Sequence, residues 1–260
     1  MPSTSILPLE IKEAILDFLA EDDDDNRSAL KAQCSLVCQA FLHICRKYIF
    51  GSIELNDYRE RSTTLAHAFA RLLYERPEIA EYIRKLDYSI EVADLTSPSI
   101  QESLKRISRL EFLTIFYQDI SRLDWSNNPI RPVLLHLLHL PTLTHFCVTD
   151  INNFVVSDLT PCINLKYLDI GLYTTGATET ALPVAFPEQS IQLNEFVAER
   201  GSADAIAKLC STRRPDGKPV IDFGSLSKVT VALGEPDEGE ASQVLFRCCQ
   251  RLTDVQISCK

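Results

Sequence analysis

Cysteine and histidine are the residues through which this chain would most readily do chemistry, and their spacing limits what that chemistry is. Cys34, Cys38 and Cys45 fall at helical spacing, so Cys34 and Cys38 share one face. Zinc takes four ligands, usually as two close pairs, and no second pair stands near these three in the sequence. They read as small buried hydrophobes. His136 and His139, at i and i+3, are a weak chelating pair and read as surface or core histidines. Cys248-Cys249 closes a helix and reads as packing. Asp222-Phe223-Gly224 spells the magnesium-binding tripeptide of protein kinases, but no glycine-rich loop, paired lysine or H-R-D segment stands upstream. H-E-x-x-H and G-x-S-x-G are missing as well. The chain is therefore read as no enzyme, with no catalytic residue, no metal site and no cofactor. An enzyme on an α/β domain stays open as a lesser alternative, and would require a deep polar pocket.

The elements that would position any site change character twice. From residue 6 to about 50 the chain reads as helix, with Ile11, Ile15, Phe18 and Leu19 recurring at three- and four-residue spacing. Pro8 suits the first turn, and Glu10 complements the positive helix start. Five like charges, Glu21-Asp22-Asp23-Asp24-Asp25, repel one another and read as a solvated loop. A second helix carries Leu30, Cys34, Val37, Cys38 and Phe41 on one side, and Gly51 ends it. Beyond it, Ile53-Glu54-Leu55 suits a short strand, and Thr63 to Tyr74 a helix that Pro77 stops.

From Ile83 onward an apolar-x-x-apolar-x-apolar unit recurs. Its seven copies open at Ile83, Leu110, Leu143, Leu165, Leu193, Leu226 and Leu252. Several follow a short helix: Ser99 to Ile107, Pro132 to Leu138, Ala203 to Leu209 and Ala241 to Cys249. The acid cluster Glu235 to Glu240 reads as a turn before the last of these. In a chain that is 45% hydrophobic such triplets arise often by chance, so the even spacing and the alternation with helices carry the reading. An irregular leucine-rich-repeat-like array is expected, with an ordinary α/β domain as the alternative. The array stops on a strand at Ile257-Ser258-Cys259-Lys260 with no polar capping repeat, so the expectation includes a shortened array whose C-terminal end frays.

Composition narrows the function classes. A net charge of −10 over 260 residues disfavours a general electrostatic grip on nucleic acid. Nine cysteines, an odd number, without a secretory leader suit a reducing compartment and free thiols. Val133 to Leu140, the most apolar stretch, is too short to span a bilayer. A cytoplasmic or nuclear protein is expected, with no membrane partner.

The ordered set Leu7-Pro8-Leu9-Glu10-Ile11, Ile15, Phe18-Leu19, Leu36-Val37-Cys38 and Phe41 resembles an F-box. It keeps the family's L-P-x-E opening, apolar helix and V-C-x-x-aromatic close. Arg46-Lys47-Tyr48-Ile49-Phe50, and Leu73-x-x-x-Pro77 before Ile83-Arg84-Lys85-Leu86, are similar to F-box proteins of the fungal, basidiomycete type, which carry leucine-rich-repeat-like tails. Two departures stand out: Phe41 where many F-boxes close on tryptophan, and a longer acidic loop.

The resemblance implies an α/β chain, with a small all-helical N-terminal F-box followed by an irregular leucine-rich-repeat-like α/β solenoid. The expected divisions are 1–50 for the F-box, 51–82 for a helical linker and 83–260 for the repeats. The implied function is the substrate-recognition subunit of an SCF (SKP–cullin–F-box) ubiquitin ligase. Leu7, Pro8, Ile11, Ile15, Leu36, Val37 and Phe41 would face or support the SKP adaptor, which brings the cullin. A protein substrate would dock on strand and post-strand positions, of which Thr114, Tyr117, His145, Tyr167 and Asp169 are the candidates by geometry alone. The alternative is a repeat scaffold that binds proteins outside any ligase.

Overall fold

Strands that alternate apolar and polar residues bury one face only, and parallel strands need a crossover between them. Both conditions are met along this chain. The computed structural model describes residues 8, 10–11, 13–15, 39–55, 63–117, 119, 122–177, 189–234 and 236–259. Helix α1 (Gln39–Phe50) leads through Gly51 into β1 (Ser52–Leu55). Helix α2 (Thr63–Glu75) and a 3-10 turn (Pro77–Glu81) return the chain to β2 (Lys85–Ile90). Helix α3 (Pro98–Leu104) precedes β3 (Phe112–Tyr117), and the short β4 (Leu123–Asp124) with α4 (Arg131–Leu138) precedes β5 (His145–Thr149). After β6 (Ile151–Asn152) and a 3-10 turn (Val156–Leu159) come β7 (Tyr167–Ile170), β8 (Ile191–Gln192) and β9 (Glu195–Ala198). Helix α5 (Ala203–Ser211), β10 (Ile221–Asp222), β11 (Lys228–Leu233), α6 (Pro236–Cys248) and β12 (Asp254–Cys259) complete the order.

Eight of these strands form one parallel sheet in the order β1-β2-β3-β5-β7-β9-β11-β12. The start of each strand is set by one carbonyl on its predecessor. Gly51, Arg84, Glu111, Thr144, Lys166, Asn194 and Ser227 each accept two N–H groups from the first residues of the next strand. That repeated bond fixes the register, so Leu86, Leu113, Phe146, Leu168, Phe196 and Val229 form one row across the sheet. All six are at most 1% exposed and pack with helix residues such as Leu73, Leu104, Leu134 and Leu209. The parallel row Tyr88, Ile115, Val148, Ile170, Ala198 and Val231 is equally buried. β12 lies at the edge, where the equivalent Val255 and Ile257 are 47% and 53% exposed.

This architecture corrects the expected fold class. The described residues from Gln39 onward form an α/β body built on an eight-stranded parallel sheet, not a small all-helical module followed by a solenoid. The physical reason lies at Gly51. Its carbonyl accepts from Arg84 and Lys85, so the chain leaving α1 becomes a strand of the sheet. That pairing joins segments some thirty residues apart and leaves no local trace in the sequence. A second correction concerns residues 236–240, expected as a turn. They form the first turn of α6, because proline at the helix start and acids beside it are stabilising there. No helix among the described residues is long and apolar enough to cross a membrane.

Candidate docking face on the sheet

Side chains of opposite parity to the core rows leave the sheet on the other face. Parallel sheets are usually covered on both faces, so an open face must carry a composition that tolerates water. Here it is polar and aromatic. One row runs Lys85, Phe112, His145, Tyr167, Glu195, Lys228. Its centre is a pile of three rings: Phe112 and His145 stack at 4.1 Å and 23°, His145 and Tyr167 at 5.4 Å and 26°. Ion pairs close both ends, Lys85 with Asp87 at 2.9 Å and Lys228 with Glu195 at 2.8 Å. His145 is held through Nδ1 against Thr144 Oγ1 at 2.8 Å, and burial lowers its pKa.

The next row, Asp87, Thr114, Cys147, Asp169, Val197 and Thr230, is shorter in side chain and forms a floor. A hollow of about 230 Å3 opens between the rings and this floor, over Thr114, Cys147 and Asp169. A separate, larger hollow of about 570 Å3 lies over Val197 and Thr230, bounded by Tyr173 and Glu199. Beyond the strand ends Arg122, Asp150 and Tyr173 take positive φ of 53°, 57° and 54°, and the Arg122 guanidinium lies 4.7 Å over the Tyr173 ring.

Asp169 is the group this environment perturbs most usefully. Burial is the main cause, and the negative charges of Glu199 and Glu195 add to it, so its pKa rises from 3.8 to about 6. The Cys147 thiol and the Tyr167 hydroxyl, which donates to Asp169 Oδ2 at 3.3 Å, offset this in part. The Cys147 thiol is pushed up by burial and by Asp169, which leaves it a poor nucleophile. Because the folded pKa of Asp169 is raised, its protonated form contributes stability that is complete below 3.8 and lost as pH rises through about 6. At neutral pH the ionised carboxylate therefore costs stability. Asp169→Asn is expected to gain about 1–2 kcal/mol near pH 7.5, after discounting for partial solvent exposure, and nothing near pH 4. Urea midpoints at the two pH values check this; an equal gain at both would contradict it.

No family model and no curated protein matches this chain.

Of the sequence candidates, Thr114, His145, Tyr167 and Asp169 come together on this face. Tyr117 does not. It is 5% exposed and belongs to the core, because β3 runs on to residue 117 and gives it the parity of Leu113 and Ile115. Phe112, Cys147, Glu195, Lys228 and Thr230 belong to the face and were missed. Their signal was present, since each stands one residue before or after the central apolar position of a unit.

Among the N-terminal candidates, Pro8 is exposed, and Ile11 and Ile15 are 49% and 44% exposed on a helical stretch. Leu7, Leu36 and Val37 lie outside the described residues, as does the side chain of Phe41, whose backbone belongs to α1. Cys34 and Cys38 also lie outside; Cys45 is fully buried. The rings of His136 and His139 meet the carbonyls of Ile107 and Asp158. Among the described residues no three His, Cys, Asp or Glu side chains converge on a metal position.

Proposed function

We propose that this chain is the substrate-recognition subunit of an SCF ubiquitin ligase. In this reading it does no chemistry of its own and acts in the cytoplasm or nucleus. It binds the SKP adaptor through its N-terminal segment, and through the adaptor a cullin, while a protein target docks on the open face of the sheet.

The observation that carries the reading is the ordered set from Leu7-Pro8 to Phe41. Its exposed members support it. Ile11 and Ile15 stand one helical turn apart, and each leaves nearly half its surface in water. Paired aliphatic side chains of this kind are suited to anchor a helix against a partner, where a few such residues dominate affinity. The sheet face supports the second half of the reading, with stacked rings and a polar rim rather than a closed catalytic cleft.

Co-purification with the SKP adaptor tests it. The wild-type chain is expected to retain adaptor and cullin, and the double substitution Leu7→Ala, Pro8→Ala to lose at least about tenfold while its thermal melt stays in place. Unchanged retention by the double variant sinks the proposal. One residue favours a second reading, a scaffold that holds its target without a ligase. Phe41 stands where many F-boxes place tryptophan, and the smaller ring gives less contact area for an adaptor. Adaptor binding without cullin recruitment would select that reading.

A further inference from the structure

The floor row of the open face crosses five strands in register, from Thr114 on β3 to Thr230 on β11. At about 4.8 Å between strands it is roughly 19 Å long, the span of about six residues of extended chain. One wall is the ring pile. The other stays low between β5 and β7, where Gly171 lies so close to Thr149 that a Cβ would stand 2.0 Å from its hydroxyl oxygen. A row of this length, floored by short side chains and carrying one hollow over Thr114 to Asp169 and another over Val197 and Thr230, admits an extended peptide laid across the strands.

Charge decides what that peptide carries. Both lysines of the ring row are already engaged, Lys85 by Asp87 and Lys228 by Glu195. Asp169, in mid-floor, forms no salt bridge with any described residue. Its donors among them are the Tyr167 hydroxyl, at 3.3 Å from Oδ2, and the weak Cys147 thiol, and Oδ1 is buried without a geometrically formed hydrogen bond. A carboxylate in this state, desolvated and beside like charges, is short of a cation.

We propose that the target segment is an extended peptide carrying an arginine or lysine where it crosses Asp169. The basic head meets the Asp169 carboxylate, and its aliphatic stem lies along the exposed edge of the ring pile. The inference rests on reading this face as the target-docking surface, and adds the chemistry of the target.

The groups facing Asp169 set the pH behaviour. Tyr167 shares its strand, His145 and Cys147 come from β5, Glu195 (held by Lys228) comes from β9, and Glu199 directly follows β9. Between neutral pH and about pH 5, Asp169 loses its charge, which weakens a basic ligand, whereas burial holds the His145 pKa down and so opposes a positive charge on that ring.

The test is affinity selection from a fully randomised, N-acetylated hexapeptide amide library on the immobilised full chain. Near pH 7.5 the retained pool is expected to be enriched about fivefold or more in arginine and lysine at one position, and to lose that preference near pH 5. Asp169→Asn should remove the preference, and Asp169→Lys should turn it toward acidic residues. The groove-filling Thr114→Arg should abolish retention. A pool retained by the wild-type chain, lost with Thr114→Arg and showing no basic preference overturns this inference alone. No retention by the wild-type chain above the Thr114→Arg level overturns the docking reading with it.

Discussion

Replacing Glu238 with alanine is expected to destabilise the protein by about 3 kcal/mol, lowering its melting temperature by about 6–12 °C. Glu238 is 1% exposed in the first turn of α6. Its two carboxylate oxygens accept the backbone N–H groups of Gly201 and Gly234, from the loops that follow β9 and β11. One side chain thus ties two successive crossovers at the same end of the sheet. Without it, two amides lose their acceptor, at about 1–3 kcal/mol for each donor left buried. Repacking is restricted, because Gly201 has φ +77° and approaches Tyr173, while Gly234 lies against the Arg200 side chain. Glu238→Gln keeps one acceptor and should recover part of the loss. Amide exchange should accelerate at Gly201 and Gly234 before it does at β3 or β5. A loss under about 1 kcal/mol, or exchange that rises equally everywhere, would argue against this clamp.

Asp158→Ala is expected to cost nearly as much, again about 3 kcal/mol. Asp158 lies in the 3-10 turn after β6. Its Oδ2 receives the indole N–H of Trp125 at 2.7 Å, and the Arg131 guanidinium meets Oδ1 at 3.0 Å and Oδ2 at 2.7 Å. Trp125 is fully buried, so the substitution strands an indole donor and leaves the Arg131 cation partly desolvated. An asparagine at 158 retains an acceptor for the indole but not the charge, and should recover about half. The chain contains one tryptophan, so its fluorescence reports this site directly in a urea titration. Wild-type midpoint and emission in Asp158→Ala would refute the assignment.

Both clamps join residues widely separated in the chain, and neither stood out in the sequence. Asp158 has no patterned neighbour, and Glu238 sat inside an acid cluster that read as a solvated turn. A run of acids is stabilised at a helix start by the unpaired N–H groups there. Its burial depends on Gly201 and Gly234 being brought beside it, which no local pattern records. By contrast α2, α4 and α5 lie within a few residues of their expected spans, since helical periodicity and proline stops are local signals.

The same division runs through the sheet and its face. The repeated apolar triplets were enough to locate strands β2, β3, β5, β7, β9, β11 and β12, and to say which residues point inward in all of them but the edge strand β12, whose Val255 and Ile257 stay exposed. Alternation has a period of two and needs only neighbouring residues to be legible. Four of the five face candidates lie on that face; Tyr117 lies in the core, because β3 runs on through it and the end of a strand has no local marker here. Tertiary structure alone decided that β1 joins the sheet and that the rings of Phe112, His145 and Tyr167 stack. It alone placed Asp169 beside the carboxylates of Glu195 and Glu199 and the half-buried Cys147 thiol. Register across strands is set by hydrogen bonds between segments 22 to 33 residues apart in the repeating part of the chain. Charge and desolvation at one carboxylate depend on whatever that register brings within a few ångströms. Residue types and their inward or outward sense are properties of the sequence; the company each residue keeps is a property of the fold.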